Sequence, residues 1–215
     1  MVVLIIHLYF FAQAMLVNEG LAERPVTKEP AVHAAKTEAE ILYDQLEGCL
    51  EKEAFTAAWQ GMLRYNPEAR MLAIADLSQA SDKQRFYIIN LEKKEVNLQT
   101  WVAHGKNSGD QYALNFSNTN ASHMSSRGFF RIGEEFISPK HGPALLLEGL
   151  EKGVNDRARM REIIIHGADY VSEDFIETHG RCGRSHGCPA LPREEMAKVI
   201  RLLPPGSLLY IHTAS

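Results

Sequence analysis

The chain has little of what builds the more specialised protein classes. Three cysteines in 215 residues, Cys49, Cys182 and Cys188, are too few for a disulfide-built mini-protein, and the odd count leaves at least one thiol unpaired. There is no excess of positive charge: the net charge of -4 gives no bulk attraction for polyanions, which argues against nucleic-acid binding by charge alone. Internal repeats and low-complexity runs are absent. Only one long apolar run occurs, Val2 to Phe11, and it falls short of the roughly 20 residues a permanent membrane span needs. A composition of 45% hydrophobic and 23% charged residues excludes collagen-like, disordered and multi-span membrane proteins.

What is present begins with that apolar run. Ala12-Gln13-Ala14 follows it with the small residues favoured at a signal-peptidase site, so residues 1–16 read as an export signal. No Lys or Arg precedes the run, and a buried N-terminal strand or helix is the competing reading. Residues 17–36, with Pro25, Pro30 and several charges, read as a linker. Residues 37–66 then carry two helical patterns. Thr37 and Glu40 have capping-box spacing, after which Leu42, Leu46, Cys49 and Leu50 share one face, with Cys49 expected as a small buried thiol. Phe55, Ala58, Trp59 and Met62 form a second stripe, stopped at Asn66-Pro67.

From about residue 67 the period changes. Met71 to Ala75, Phe86 to Leu91 and Val96 to Ala103 read as strands, the last two as a hairpin. Leu145 to Leu147, Glu162 to Ile165 and Ser207 to His212 read as short buried strands. Pro192 opens a helix whose Met196, Val199, Ile200 and Leu203 face inward. The expected fold is therefore β-rich α+β over residues 67–215, carrying an N-terminal helical segment.

Chemistry concentrates between residues 166 and 188. Ile163-Ile164-Ile165 delivers His166 to a strand end, and Ser185-His186-Gly187-Cys188 follows in a glycine-rich stretch. A free thiol, with a pKa near ~8.5, is mostly protonated at neutral pH, and a nearby imidazole can take its proton. Gly187 allows a tight turn and a close backbone approach to a developing oxyanion. Pro189 has no N–H, so oxyanion donors must come from Cys188, Gly187 or earlier. The competing chemistry is metal binding, since His179, Cys182, His186 and Cys188, with His166 as a fifth, are zinc-ligand types. Their His-x2-Cys-x3-His-x-Cys spacing is irregular for a zinc knuckle. Cys182 stands six positions before Cys188 and could pair with Cys49 or resolve an oxidised Cys188; a spare loop cysteine is the plainer reading.

His166-Gly167 and Ser185-His186-Gly187-Cys188, separated by residues 167 to 184, resemble the signature of L,D-transpeptidases, the YkuD-like cysteine enzymes that cross-link bacterial peptidoglycan. Further blocks extend the resemblance to a murein L,D-transpeptidase catalytic-domain branch: Val102-Ala103-His104-Gly105, Ser125-Ser126-Arg127-Gly128-Phe129-Phe130, Leu147-Glu148-Gly149-Leu150-Glu151, Val154-Asn155-Asp156 and Gly183-Arg184-Ser185. It covers roughly residues 70 to 215. The resemblance implies Cys188 as nucleophile, His166 as base and the Gly167 carbonyl as the group that holds the imidazole tautomer. Ser185, His186 and Gly187 would shape the oxyanion and substrate side.

The implied reaction is acyl transfer without a cofactor. Cys188 takes a tetrapeptide stem with loss of terminal D-alanine, and an amine of a second stem resolves the thioester. Water as acceptor would make an L,D-carboxypeptidase, and a zinc-binding or non-catalytic wall module is the alternative of another class. Arg181 and Arg184 are candidates to grip a stem carboxylate. Arg127, Gly128 and Phe129 look like a counterpart of a segment lining the family's cleft. Carbapenems are expected inhibitors and the cell envelope or periplasm the expected location. The sequence departs from the family pattern at Pro189-Ala190, which replaces the usual aliphatic then Asn or Arg. His104, His123 and His141 carry no assigned role.

Overall fold

The computed structural model describes residues 36–46 and 48–214. The expected export signal and nearly all of the linker lie outside the described residues. The body is β-rich, as expected: eight strands form one sheet in the order β3-β2-β1-β8-β4-β5-β6-β7. They are β1 (Met71–Asp76), β2 (Phe86–Asn90), β3 (Glu95–Thr100), β4 (Gly128–Ser138), β5 (Gly142–Gly149), β6 (Ile164–Gly167), β7 (Ala190–Leu191) and β8 (Leu208–His212). Four helices accompany them: α1 (Glu38–Gln45), α2 (Lys52–Tyr65), α3 (Glu173–His179) and α4 (Met196–Leu202). Neighbouring strands run antiparallel except β1 with β8 and β6 with β7.

Both faces of the β1–β2–β8 region are buried, which is why these strands read as continuous apolar runs rather than alternating ones. Successive side chains still divide between the faces. Leu72, Ile74, Tyr87, Ile89 and Leu208 join Phe55, Ala58 and Met62 of α2 in one core. Ala73, Ala75, Phe86, Ile88, Leu209 and Ile211 join Met196, Val199 and Leu203 in the other. The helical segment thus covers one face of the sheet.

Thr37 caps α1 as its spacing indicated. Its hydroxyl accepts from Glu40 N, and the Glu40 carboxylate accepts from Thr37 N at 2.9 Å. Cys49 departs from expectation. The helix ends at Gln45 and Gly48 turns the chain with φ +68, so Cys49 falls in the connection to α2 and is exposed. Strand β4 is not among the strands expected from the sequence. Past Ile132 it carries Gly133, Glu134 and Glu135 and a register shift against β5, which removes the alternation that identifies a strand. Trp101 and Val102 leave β3 early, and Ala103 only bridges to Ala190.

Candidate active site

Strand β6 is inserted between β5 and β7, with His166 opposite Ala144 on one side and Ala190 on the other. All four of its residues are buried. The parallel β6–β7 pair fixes the chemistry. Cys188 stands two residues before Ala190, so the register that aligns Ala190 with His166 brings the cysteine loop to the same end of the sheet. His166 and Cys188 line one cavity of about 420 Å³.

The His166 ring is oriented by its own strand. Nδ1 lies 3.0 Å from the Gly167 carbonyl, an acceptor only, so Nδ1 carries the proton and Nε2 keeps a lone pair. Burial pushes this imidazole down to about 4, and the charges of Lys140 and Arg193 and the His141 ring act in the same direction. His166 is therefore neutral at pH 7. The Cys188 thiol is pushed up, chiefly by desolvation and further by Glu162, while the Ile164 backbone first, then Arg161 and Lys140, pull it back. It donates to the Glu162 carbonyl at 3.6 Å. A thiol and a neutral imidazole thus line the same cavity, the two group types that base-assisted thiol attack requires.

The loop ahead of Cys188 is held by a network of neutral bonds. Ser185 N donates to His104 O at 2.9 Å, and Lys106 N donates to Ser185 O at 2.8 Å. The Ser185 hydroxyl accepts from Gly187 N at 3.0 Å and donates to Cys188 O at 2.6 Å. Ser125 Oγ accepts from Gly105 N and donates to Gly187 O at 3.2 Å. Gly187 is held at φ +122, where a Cβ would lie 2.6 Å from Met124 O. The Gly187 N–H is occupied by Ser185, whereas the Cys188 N–H has no partner among the described residues.

The other expected site residues separate into two groups. Ser185, His186 and Arg184 line the His166–Cys188 cavity. Arg184 Nη1 pairs with Asp110 at 3.1 Å and donates to Gly109 O. Arg181 does not line it: its Nε pairs with the same Asp110 carboxylate at 2.9 Å and its Nη1 donates to Cys182 O. Arg127, Gly128 and Phe129 also stand elsewhere, correcting the expectation that they line the cleft. They border a separate cavity of about 560 Å³ beside α2. Phe129 is buried between Tyr65 and Tyr210, at ring-centroid distances of 5.2 and 4.4 Å, where it fills the space left by Gly61.

Residues without an assigned role complete the cavity. His141, in the β4–β5 turn, stacks on His166 with centroids 3.8 Å apart. His123 meets His186 edge-on at 4.4 Å. Lys140, Arg161, Glu162 and Tyr170 also line it. The sequence carries no signal for these contacts beyond the polar, glycine-containing surroundings of the histidines. His104 is buried outside the cavity, where Arg85 Nη2 donates to its Nδ1 at 2.8 Å. Of the zinc-ligand types, His166, His186 and Cys188 line the cavity while His179 and Cys182 stand outside it. His179 stacks on Phe175, and Cys182 is fully buried with its thiol donating to Ser81 O. Among the described residues no three His, Cys, Asp or Glu side chains group as a metal set. All three cysteines are free, with Cys182 buried and Cys49 exposed, so the alternative in which these two pair is not realised.

The family described as the L,D-transpeptidase catalytic domain matches residues 47–212, most of the chain. The chain belongs to that family. No curated protein matches it by sequence. Solved structures similar to it include an L,D-transpeptidase from Mycobacterium smegmatis, 16% identical over 67% of this chain and 59% of that one, with a TM-score of 0.43. Another is the L,D-transpeptidase of Xylanimonas cellulosilytica, 14% identical over 80% and 77%, TM-score 0.40. A third is a cysteine-to-serine variant of the Enterococcus faecium L,D-transpeptidase, 14% identical over 66% and 49%, TM-score 0.38. This L,D-transpeptidase domain spans about three fifths of the Mycobacterium smegmatis protein. No helix among its described residues is long and apolar enough to cross a membrane.

Proposed function

We propose that this domain is a peptidoglycan L,D-transpeptidase in which Cys188 is acylated by a tetrapeptide stem. The observation that carries this reading is the meeting of Cys188 with His166 in one cavity, with Nδ1 of His166 tied to Gly167 O. Nε2 takes the thiol proton as sulfur attacks the amide that follows the third stem residue. The tetrahedral intermediate places its oxyanion against the unpartnered Cys188 N–H, because Pro189 offers none and Gly187 N–H is occupied. Collapse breaks the C–N bond, and His166 returns the proton to the departing D-alanine nitrogen. The thioester remains on Cys188. The amine of a second stem then attacks it, giving the cross-link and regenerating the thiol.

The cavity is rich in positive and neutral nitrogen groups, with Lys140, Arg161 and Arg184 against the single acid Glu162. That balance suits a substrate carrying carboxylates. A family relative has been solved with imipenem. Carbapenem acylation of Cys188 is the corresponding expectation here, as is action in the cell envelope or periplasm, where stem peptides are found. No cofactor enters the scheme. Incubation with purified stem tetrapeptides, followed by mass spectrometry, tests it. D-alanine release with dimer formation is expected, and both vanish in Cys188→Ala. Release without dimers identifies a carboxypeptidase. Stoichiometric zinc with no thioester or carbapenem adduct would identify a wall-binding module and overturn the proposal.

A further inference from the structure

Arg161 lies in the connection between β5 and β6 and lines the cavity with Cys188. Its guanidinium is held at four points. Nη1 donates to Ser117 O and Ser126 Oγ, and Nη2 donates to Ser122 Oγ at 3.2 Å and Met124 O at 2.7 Å. Every acceptor is neutral, and no carboxylate pairs with Arg161 among the described residues. A half-buried cation without a counter-ion is costly, so its charge is available to an anion that forms in the cavity. Nη2 also lies 3.3 Å from the point a Cβ on Gly187 would occupy. The missing side chain leaves that space open between Gly187 and the guanidinium.

We infer that Arg161 is the electrostatic partner of Cys188, its fixed positive charge offsetting the thiolate formed when His166 takes the thiol proton. This rests on the acyl-transfer reading and adds to it a charge that the Pro189-Ala190 sequence after the cysteine does not supply. No bond to Arg161 forms or breaks. The S–H proton passes to His166 Nε2, and the electron pair stays on sulfur in the cavity that Arg161 lines. Other groups facing the sulfur are Glu162 on the same connection, Lys140 in the β4–β5 turn, His166 on β6, Tyr170 and the His186 of the cysteine loop. Two other permanent cations line the cavity: Lys140, which lacks the four tethers that hold Arg161, and Arg184, whose guanidinium is paired with Asp110.

The test reads the thiol without any stem peptide. Alkylation of Cys188 by iodoacetamide is followed against pH by peptide mass spectrometry, with Cys49 in the same molecule as the exposed reference. Arg161→Gln is expected to raise the Cys188 pKa by about one unit, slowing alkylation at neutral pH about tenfold. Arg161→Lys keeps the charge and should stay within about threefold of the parent, and Lys140→Ala should change the rate less than Arg161→Gln does. A second measurement needs no variant. The iodoacetate to iodoacetamide rate ratio should be several-fold higher at Cys188 than at Cys49, because a fixed cation draws the anionic reagent. An unshifted pKa in folded Arg161→Gln overturns the inference. So does an equal reagent ratio at the two cysteines, should that variant not fold. If these shifts appear while the parent releases no D-alanine, the function proposed above has failed and the charge assignment stands.

Discussion

Replacing Gly187 with alanine tests the fold and the site together. The residue sits at φ +122, a region that side-chain-bearing residues enter at a cost of about 1–3 kcal/mol. The new methyl group would stand 2.6 Å from Met124 O and 3.3 Å from Ile163 Cδ1. Met124 O cannot retreat freely, since it accepts Arg161 Nη2 at 2.7 Å, and the next residue is tied through Ser125 N to Ser108 Oγ at 2.8 Å. The loop must therefore move instead, giving up about one hydrogen bond at ~1 kcal/mol, either Ser185 to Gly187 N or Ser125 to Gly187 O. The sum is about 2–4 kcal/mol. At about 2–4 °C per kcal/mol for a domain of this size, the melting temperature should fall by roughly 5–15 °C. A displacement of about 1 Å next to Cys188 should also slow acylation by on the order of 100-fold. Gly206→Ala is the control: φ is +93 but nothing lies within 4 Å, so it should lose only about 1 kcal/mol and acylate normally. Melting by circular dichroism and carbapenem adduct formation by mass spectrometry read both effects. A Gly187→Ala protein that melts with the parent and acylates at the parental rate would refute the geometry given for the cysteine loop.

Three further outcomes are expected. His104 and His166 are each held down at about 4 by burial, against 6.5 unperturbed, so between these values the unfolded chain binds protons that the native state refuses. Their stability contribution is complete above about pH 6.5 and is lost as pH falls towards 4, up to about 3 kcal/mol per histidine. Melting temperature should drop over that window, less steeply in His104→Gln, and a flat profile counts against the buried neutral rings. Phe129→Ala, which empties the space between Tyr65, Tyr210 and Gly61, should cost about 3–5 kcal/mol in a denaturant titration; a loss under about 1 kcal/mol would show that the helical segment does not pack there. Thiol titration without reductant should find Cys49 reacting quickly in the native protein and Cys182, its thiol pushed up to about 11 by burial, only after denaturation. A total below three would indicate a bond that the structure lacks.

The elements legible in the sequence were those whose pattern is local. The capping box at Thr37 and the apolar stripe of α2 have helical spacing, and β1, β2 and β8 are short continuous apolar runs, so neighbouring residues alone reveal them. The end of α1 was misjudged because Leu46, Cys49 and Leu50 continue the helical spacing past Gly48, where the backbone turns left-handed. Strand β7 has two residues and exists through its pairing with β6. Nothing local marks it. The residues around Phe129 resemble a cleft segment. Its ring instead packs against Gly61 and Tyr65, more than 60 positions earlier in the chain.

The sequence by itself determined the chemistry on offer: a cysteine after Gly187, a histidine at the end of an isoleucine run and a proline that removes one oxyanion donor. Residue type and near-neighbour backbone set these, and they need no fold to be read. Only the tertiary structure decided which groups share a cavity. The β6–β7 register joins His166 to the cysteine loop, while His141 and Arg161 reach it from two separate connections. It also committed Gly187 N–H to Ser185 and left Cys188 N–H without a partner among the described residues. The physical reason is that charge compensation and hydrogen-bond satisfaction depend on distance in space, and a chain closes those distances only by folding.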